Sequence, residues 1–275
     1  MIQCFCGMPH GLSRRGLLAT AAATLLLPAR GRAATASAGP ADPALLADLV
    51  TANHILFDQG VVDGFGHVSV RHPKDPTHFL MARSMAPALV TAADILEYDA
   101  DSEAIDANGR VSYLERFIHG EIYKVRPDVH AVVHSHSPAV IPFADTKIAL
   151  RPMNHIAAFL GTGAPVFDIR SAGGDGTDML IRNNMLGHAL AQTLGPHTVV
   201  LMRGHGSTAV GPTLKHVTYR AVYTEVDARI EAEALAMGGK PEFLSAKEAA
   251  AATKTTDKLV ERPWALWKLH AERGA

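Results

Sequence analysis

The stretch Ala131-Val132-Val133-His134-Ser135-His136-Ser137-Pro138 constrains the fold more than any other part of this chain. A short apolar run of this kind predicts a strand over residues 129–136, and side chains two positions apart on a strand point the same way. His134 and His136 therefore share one face and can share one metal ion. Two imidazoles do not close a site. The fold must deliver a third ligand and a carboxylate from elsewhere in the sequence.

Composition narrows the possibilities modestly. With 275 residues, 48% of them hydrophobic, the chain can bury a substantial core. Its 26 Lys and Arg are matched by 27 Asp and Glu and form no long basic run, which argues against a nucleic-acid partner. The 15 histidines favour metal or proton chemistry.

Residues 1–36 read as an address. Ser13-Arg14-Arg15-Gly16 is followed by an apolar run to Leu27, then Pro28 and the small residues Ala34-Thr35-Ala36, the pattern of a twin-arginine export signal. The run is too short to span a bilayer. The expectation is an exported, periplasmic protein with no membrane association in its mature form, or a cytoplasmic one if the segment is not a signal. Cys4 and Cys6 precede the arginine pair, so a cleaved protein would contain no cysteine. Export after folding suits a protein that loads its metal in the cytoplasm.

Apolar spacing and caps predict a helix from Asp42 to Gly60, strands at His67–Arg71 and His78–Met81, and a helix from Tyr113 to Val125. Further strands are expected at Pro165–Ile169 and Thr198–Met202, and a long helix from Thr213 to Met237 is closed by Gly238-Gly239. This order suggests one α/β domain with a mainly antiparallel sheet flanked by helices.

His205 is the candidate third imidazole, since it follows an apolar strand and lies between Gly204 and Gly206, where the backbone can turn tightly. Glu115 is the candidate carboxylate, placed on the first turn of the helix that leads into the His-Ser-His strand. His119, four residues on, would share its helix face and orient it. Tyr223, on the long helix, is a second proton-donor candidate.

Taken together, Glu115 with His119, Arg126-Pro127-Asp128, Ala131 to His136, Arg203-Gly204-His205-Gly206 and Val210-Gly211 resemble the class II aldolase and adducin family. Gly66-His67-Val68-Ser69-Val70-Arg71 resembles its Gly-Asn-x-Ser-x-Arg segment. The resemblance implies a single-domain α/β/α fold over residues 42–240, followed by a C-terminal extension at 241–275. It implies a divalent metal held by His134, His136 and His205, with Glu115 as acid/base or extra ligand, and a homotetramer with sites near subunit interfaces. Zn, Mn, Fe and Co all suit such a donor set.

The departures point to a branch. Where sugar-phosphate aldolases of the family carry small phosphate-cradling residues, this chain has His67, Arg83-Ser84-Met85 and Tyr113-Leu114. Arg83 suits a substrate carboxylate, with Ser84 and His67 as further substrate contacts. The stretches 81–84, 113–120 and 262–267 resemble the family's decarboxylases of hydroxylated aromatic dicarboxylates. The leading expectation is a metal-dependent lyase that cleaves a carbon–carbon bond by decarboxylating a hydroxylated aromatic or keto carboxylate. An aldolase for an unphosphorylated substrate, a non-haem iron oxygenase and a non-catalytic adducin-like module remain as alternatives.

Overall fold

The computed structural model describes residues 35–238 and 240–274. The arginine pair, the apolar run after it, Cys4 and Cys6 lie outside the described residues. Helix α1 (Pro43–Asp58) leads into strands β1 (His67–Arg71), β2 (Phe79–Ala82), β3 (Ile95–Tyr98) and β4 (Ala104–Ile105), and helix α2 (Phe117–Val125) into β5 (Ala131–Ser135). Short helices α3 (Ile141–Asp145) and α4 (Arg170–Gly173) flank β6 (Val166–Phe167), and α5 (Asn184–Leu194) precedes β7 (Val199–Met202) and β8 (Gly206–Gly211). The chain ends in α6 (Leu214–Ala236), α7 (Ala246–Thr256) and α8 (Glu261–Gly274).

The strands form one sheet in the order β4-β3-β2-β1-β5-β8-β7-β6, and only the β6–β7 pair is parallel. Alternation along the strands divides the core into two layers. Val68, Val70, Ala131, Val133 and Leu201 face one side, against α1, α6 and α8. Phe79, Met81, Val132, Val200 and Val210 face the other, where Ile118 and Ile122 of α2 meet Leu190 and Leu194 of α5. The result is the expected α/β/α sandwich around a mainly antiparallel sheet.

Local chemistry sets the helix starts. The Asp42 side chain accepts a hydrogen bond from the Ala44 amide at 2.9 Å, and Pro43 opens α1 without an N–H to leave unpaired. Thr213 caps α6 in the same way through the His216 amide. The predicted helix at 113–125 is shorter in the structure and begins only at Phe117. The Arg116 guanidinium donates to the carbonyls of Ser102 and Tyr113 and holds residues 114–116 in a turn, so Glu115 precedes the helix rather than riding its first turn.

Two other differences have physical causes. The strand expected over Pro165–Ile169 is confined to Val166–Phe167, because Pro165 has no N–H to pair and Asp168 turns the chain by accepting from the Arg170 amide. The apolar pattern does not mark strand β8, because Gly206, Ser207, Thr208 and Ala209 are small or polar, although all are buried between β5 and β7.

Residues 241–274, expected as an extension, join the first core layer: Trp264 and Trp267 of α8 are buried there, and α8 packs on α1. Replacing Trp264 by Ala should therefore lower the unfolding free energy by about 3–5 kcal/mol, measurable by urea titration. A change below 1 kcal/mol would mean that α8 is an appendage.

Candidate metal centre

The site is built where β5 runs out. His134 shares the sheet face of Val132 and lies opposite His67 of β1 on one side and Thr208 of β8 on the other. His136 follows the last residue of the strand. His205 sits in the β7–β8 turn, where Gly204 adopts a left-handed φ of 62°. A Cβ on Gly206 would lie 2.0 Å from the Ser135 carbonyl oxygen. Only glycine allows β8 to close on β5 there, and that contact brings His205 beside His136.

The donor atoms converge. His136 Nε2 lies 3.2 Å from His134 Nε2 and 3.0 Å from His205 Nε2. Glu115 Oε2 lies 3.4 Å from the first imidazole of the strand and 3.2 Å from that of His205. All four ligand atoms fall within 4.8 Å of one another. Ligands about 2.0–2.1 Å from a single cation stand roughly 2.9–3.4 Å apart, so these edges match one coordination shell.

Hydrogen bonds behind the rings reinforce the fit. His134 Nδ1 meets the Ser207 carbonyl at 3.1 Å and His205 Nδ1 meets the Met179 carbonyl at 2.9 Å. A carbonyl only accepts, so in the neutral rings Nδ1 carries the proton and both Nε2 lone pairs face the common centre. Glu115 Oε1 accepts from the Ile181 amide at 3.0 Å, which turns Oε2 toward the imidazoles. Lone pairs and a carboxylate converging in a buried spot fit a divalent cation.

The electrostatics agree. Burial alone would raise the Glu115 carboxyl, but the charges and hydrogen bonds of His134 and His205 outweigh it and hold the group well below the usual carboxylate range. Burial lowers the His134 imidazole. His136 is lowered to about 4 by burial and by the two neighbouring imidazoles. At His205 burial also lowers, but the bond to Glu115 prevails and raises it.

A cavity of about 340 Å³ opens over the cluster, walled by Phe65, His67, Ser84, Met85, Tyr113, Leu114 and Leu180, with Glu115, His134 and His136 at its base. No Lys or Arg lines it among the described residues. His67 and Ser84 line this cavity. Arg83 does not: its Nε donates to Asp94 Oδ1 at 2.7 Å. Asp94, fixed by Thr91 in a capping box, takes the guanidinium that was expected to face a substrate.

Tyr223 is not brought to the cavity either. Its ring packs on Tyr219 and Trp267 in the first core layer, on the sheet face opposite His134. Nor does His119 orient Glu115, because its two ring nitrogens bond His67 and Ser69 instead. The Ile181 amide, the Met179 carbonyl and the apolar wall of Phe65 and Leu180 belong to the site without a sequence signal. No motif marks them, since backbone groups from the 174–183 loop leave no side-chain signature.

The Class II Aldolase and Adducin N-terminal domain family matches residues 47–232. The chain is 39% identical to Decarboxylase tropJ of Talaromyces stipitatus over 80% of its own length and 91% of the relative's. It is 32% identical to a 3,4-dihydroxyphthalate decarboxylase of Terrabacter, covering 70% and 82% of the two chains. The fold is similar to that of an aldolase II superfamily protein from Pseudomonas syringae, with a TM-score of 0.71 at 20% identity over 86% of this chain and 95% of that one.

Replacing His134, His136 or His205 by Ala should remove most bound metal, measured by elemental analysis after dialysis. Full occupancy in the His205→Ala protein would refute the three-imidazole shell. Metal affinity should also fall as pH drops from about 8 to about 5, since protons compete for imidazole lone pairs. Arg83→Ala should leave metal content intact and cost about 0–1 kcal/mol, the usual worth of a partly exposed ion pair.

Proposed function

The chain belongs to the class II aldolase and adducin family, and from that premise we propose that it is a metal-dependent carbon–carbon lyase that decarboxylates a hydroxylated aromatic carboxylate. The single observation that carries this reading is the cavity itself. Glu115, His134 and His136 lie at its base and meet His205 in one donor cluster, while its wall is mainly apolar and, among the described residues, carries no Lys or Arg to grip phosphate. Such a wall takes a planar ring and leaves the polar end of the ligand at the metal position. The names of the two decarboxylase relatives support the same chemistry.

A divalent ion held by His134, His136 and His205, with Glu115 beside or within the shell, would act as a Lewis acid for the charge left when the carbon–carbon bond breaks. The chain's own residues do the rest. Tyr113 and Leu114 replace a phosphate cradle with apolar surface, and the Tyr113 hydroxyl is committed to the Met85 carbonyl. Burial pushes that phenol up to about 12, so it stays protonated and serves as wall rather than base. Glu115 is anchored by the Ile181 amide with Oε2 turned toward the imidazoles, so Oε2 can accept the proton of a substrate hydroxyl and return it to the ring carbon as carbon dioxide departs. The exchange balances: one carboxylate leaves as carbon dioxide and one proton takes its place on carbon.

We further propose a homotetramer, supported by the large apolar side chains Phe65 and Leu114, which are 68% and 56% exposed at the cavity mouth. Export through the twin-arginine route is proposed from residues 13–36 alone. Zn, Mn, Fe and Co remain the proposed metals, since oxygen and imidazole donors accept each of them.

The deciding experiment supplies the metal-loaded protein with a panel of hydroxylated benzoates and phthalates and follows carbon dioxide. Release from at least one of them is expected. Aldehyde release from hydroxy-aldehydes, with no carbon dioxide from any aromatic acid, would return the protein to the aldolases, and oxygen uptake would make it an oxygenase. Glu115→Gln should slow turnover by about two to four orders of magnitude, the range of general acid–base groups, as read by stopped-flow or fixed-time assay.

A further inference from the structure

A line of buried polar groups leaves the cavity wall and runs under the sheet. His67 Nδ1 lies 2.7 Å from His119 Nε2, His119 Nδ1 lies 2.6 Å from Ser69 Oγ, and Ser69 Oγ lies 2.7 Å from Tyr123 Oη. All four residues are buried, from 0% to 5% exposed. The strand and helix periods produce the alignment. His67 and Ser69 are two apart on β1, while His119 and Tyr123 are four apart on α2, so both pairs face each other across the sheet–helix interface.

The direction of these bonds is determined at the far end. Among the described residues the Tyr123 hydroxyl has Ser69 as its one hydrogen-bond partner. A hydroxyl proton buried there can go only to Ser69 Oγ, so the Ser69 proton goes on to His119 Nδ1. His119, neutral with Nδ1 as acceptor, carries its proton on Nε2 and donates it to His67 Nδ1. His67 then has its proton on Nε2, the ring nitrogen with no partner among the described residues, on a ring that lines the cavity. The reverse direction strands the buried Tyr123 proton without an acceptor, which disfavours it by roughly one to two orders of magnitude.

We propose that Ser69 and Tyr123 are positioning residues that act through His119 to lock His67 in its Nε2–H tautomer, so that the cavity wall presents one neutral donor to an acceptor oxygen of the bound aromatic ligand. The substrate part of this inference rests on the proposed function; the tautomer part does not. A neutral donor suits the site, because among the described residues no Lys or Arg lines the cavity and an ion held by the cluster would already supply positive charge. It distinguishes ligands whose oxygen beside His67 is an acceptor, such as phenolate or carboxylate, from those presenting an amine or ammonium there.

The test is long-range proton–nitrogen NMR of the protein labelled with nitrogen-15 in histidine and loaded with zinc, with a His67→Gln sample to assign the signals. The expected pattern at His67 is a protonated Nε2 and an unprotonated Nδ1. Ser69→Ala should collapse this into a mixture of tautomers, and Tyr123→Phe should shift it less, because the serine proton remains available. Catechol, as the probe ligand, should move the His67 Hε2 resonance in the wild-type protein. A protonated Nδ1 in the unliganded wild type, or an unchanged pattern in Ser69→Ala, overturns the proposal. If the tautomer is as expected but catechol leaves Hε2 unmoved, the donor role fails while the lock stands, and the carbon dioxide assay separately judges the proposed function. Activity follows suit: Ser69→Ala should raise KM by about one order of magnitude with unchanged metal content, whereas misfolding would lower kcat and metal content together.

Discussion

The close approach of β8 to the end of β5 is the constraint on which the rest depends. Gly206 sits where any Cβ would strike the Ser135 carbonyl, so β8 pairs with β5 down to Ser135↔Ser207. That pairing does two things at once. It hands the Ser207 carbonyl to His134 Nδ1, fixing which nitrogen is free, and it delivers His205 from the adjoining turn to a point 3.0 Å from His136. Backbone geometry thus preorganises the lone pairs, and a cation is the group that relieves their mutual repulsion.

The sheet separates stability from chemistry. One face holds the larger apolar layer, with α1, α6 and the two tryptophans of α8. The other face carries His67, Ser69 and His134 alongside a second apolar layer supplied by α2 and α5. Polar residues on this face are tolerated because each is bonded: His119 and Tyr123 of α2 receive the strand's polar positions, and the Arg71 guanidinium lies 4.6 Å from the centre of the Tyr123 ring. A cluster of unpaired imidazoles would otherwise destabilise the interior.

Much of this was legible in the residues. The His-x-His spacing carried the strand and its shared face, and the glycines around His205 carried the turn. What stayed hidden has a physical explanation in each case. Strand β8 is made of small and polar residues whose burial comes from neighbours rather than from their own hydrophobicity. Arg83 was expected at a carboxylate because a guanidinium suits one; the carboxylate it found is Asp94, eleven residues on and brought near by the antiparallel pairing of β2 with β3, which residue type alone does not reveal. Tyr223 has the right chemistry on the wrong sheet face of this chain. Glu115 comes to the cluster from a turn held by Arg116 rather than from the helix, and its orientation comes from a backbone amide.

The central claim is that carbon–carbon bond cleavage takes place at one metal ion held by His134, His136 and His205. The most direct measurement titrates metal-free protein with a divalent metal while following carbon dioxide release from a hydroxylated aromatic acid. Activity should be absent at the start, rise in proportion to added metal and level off at one ion per chain. Full activity without metal, or a plateau unrelated to chain concentration, would contradict the account.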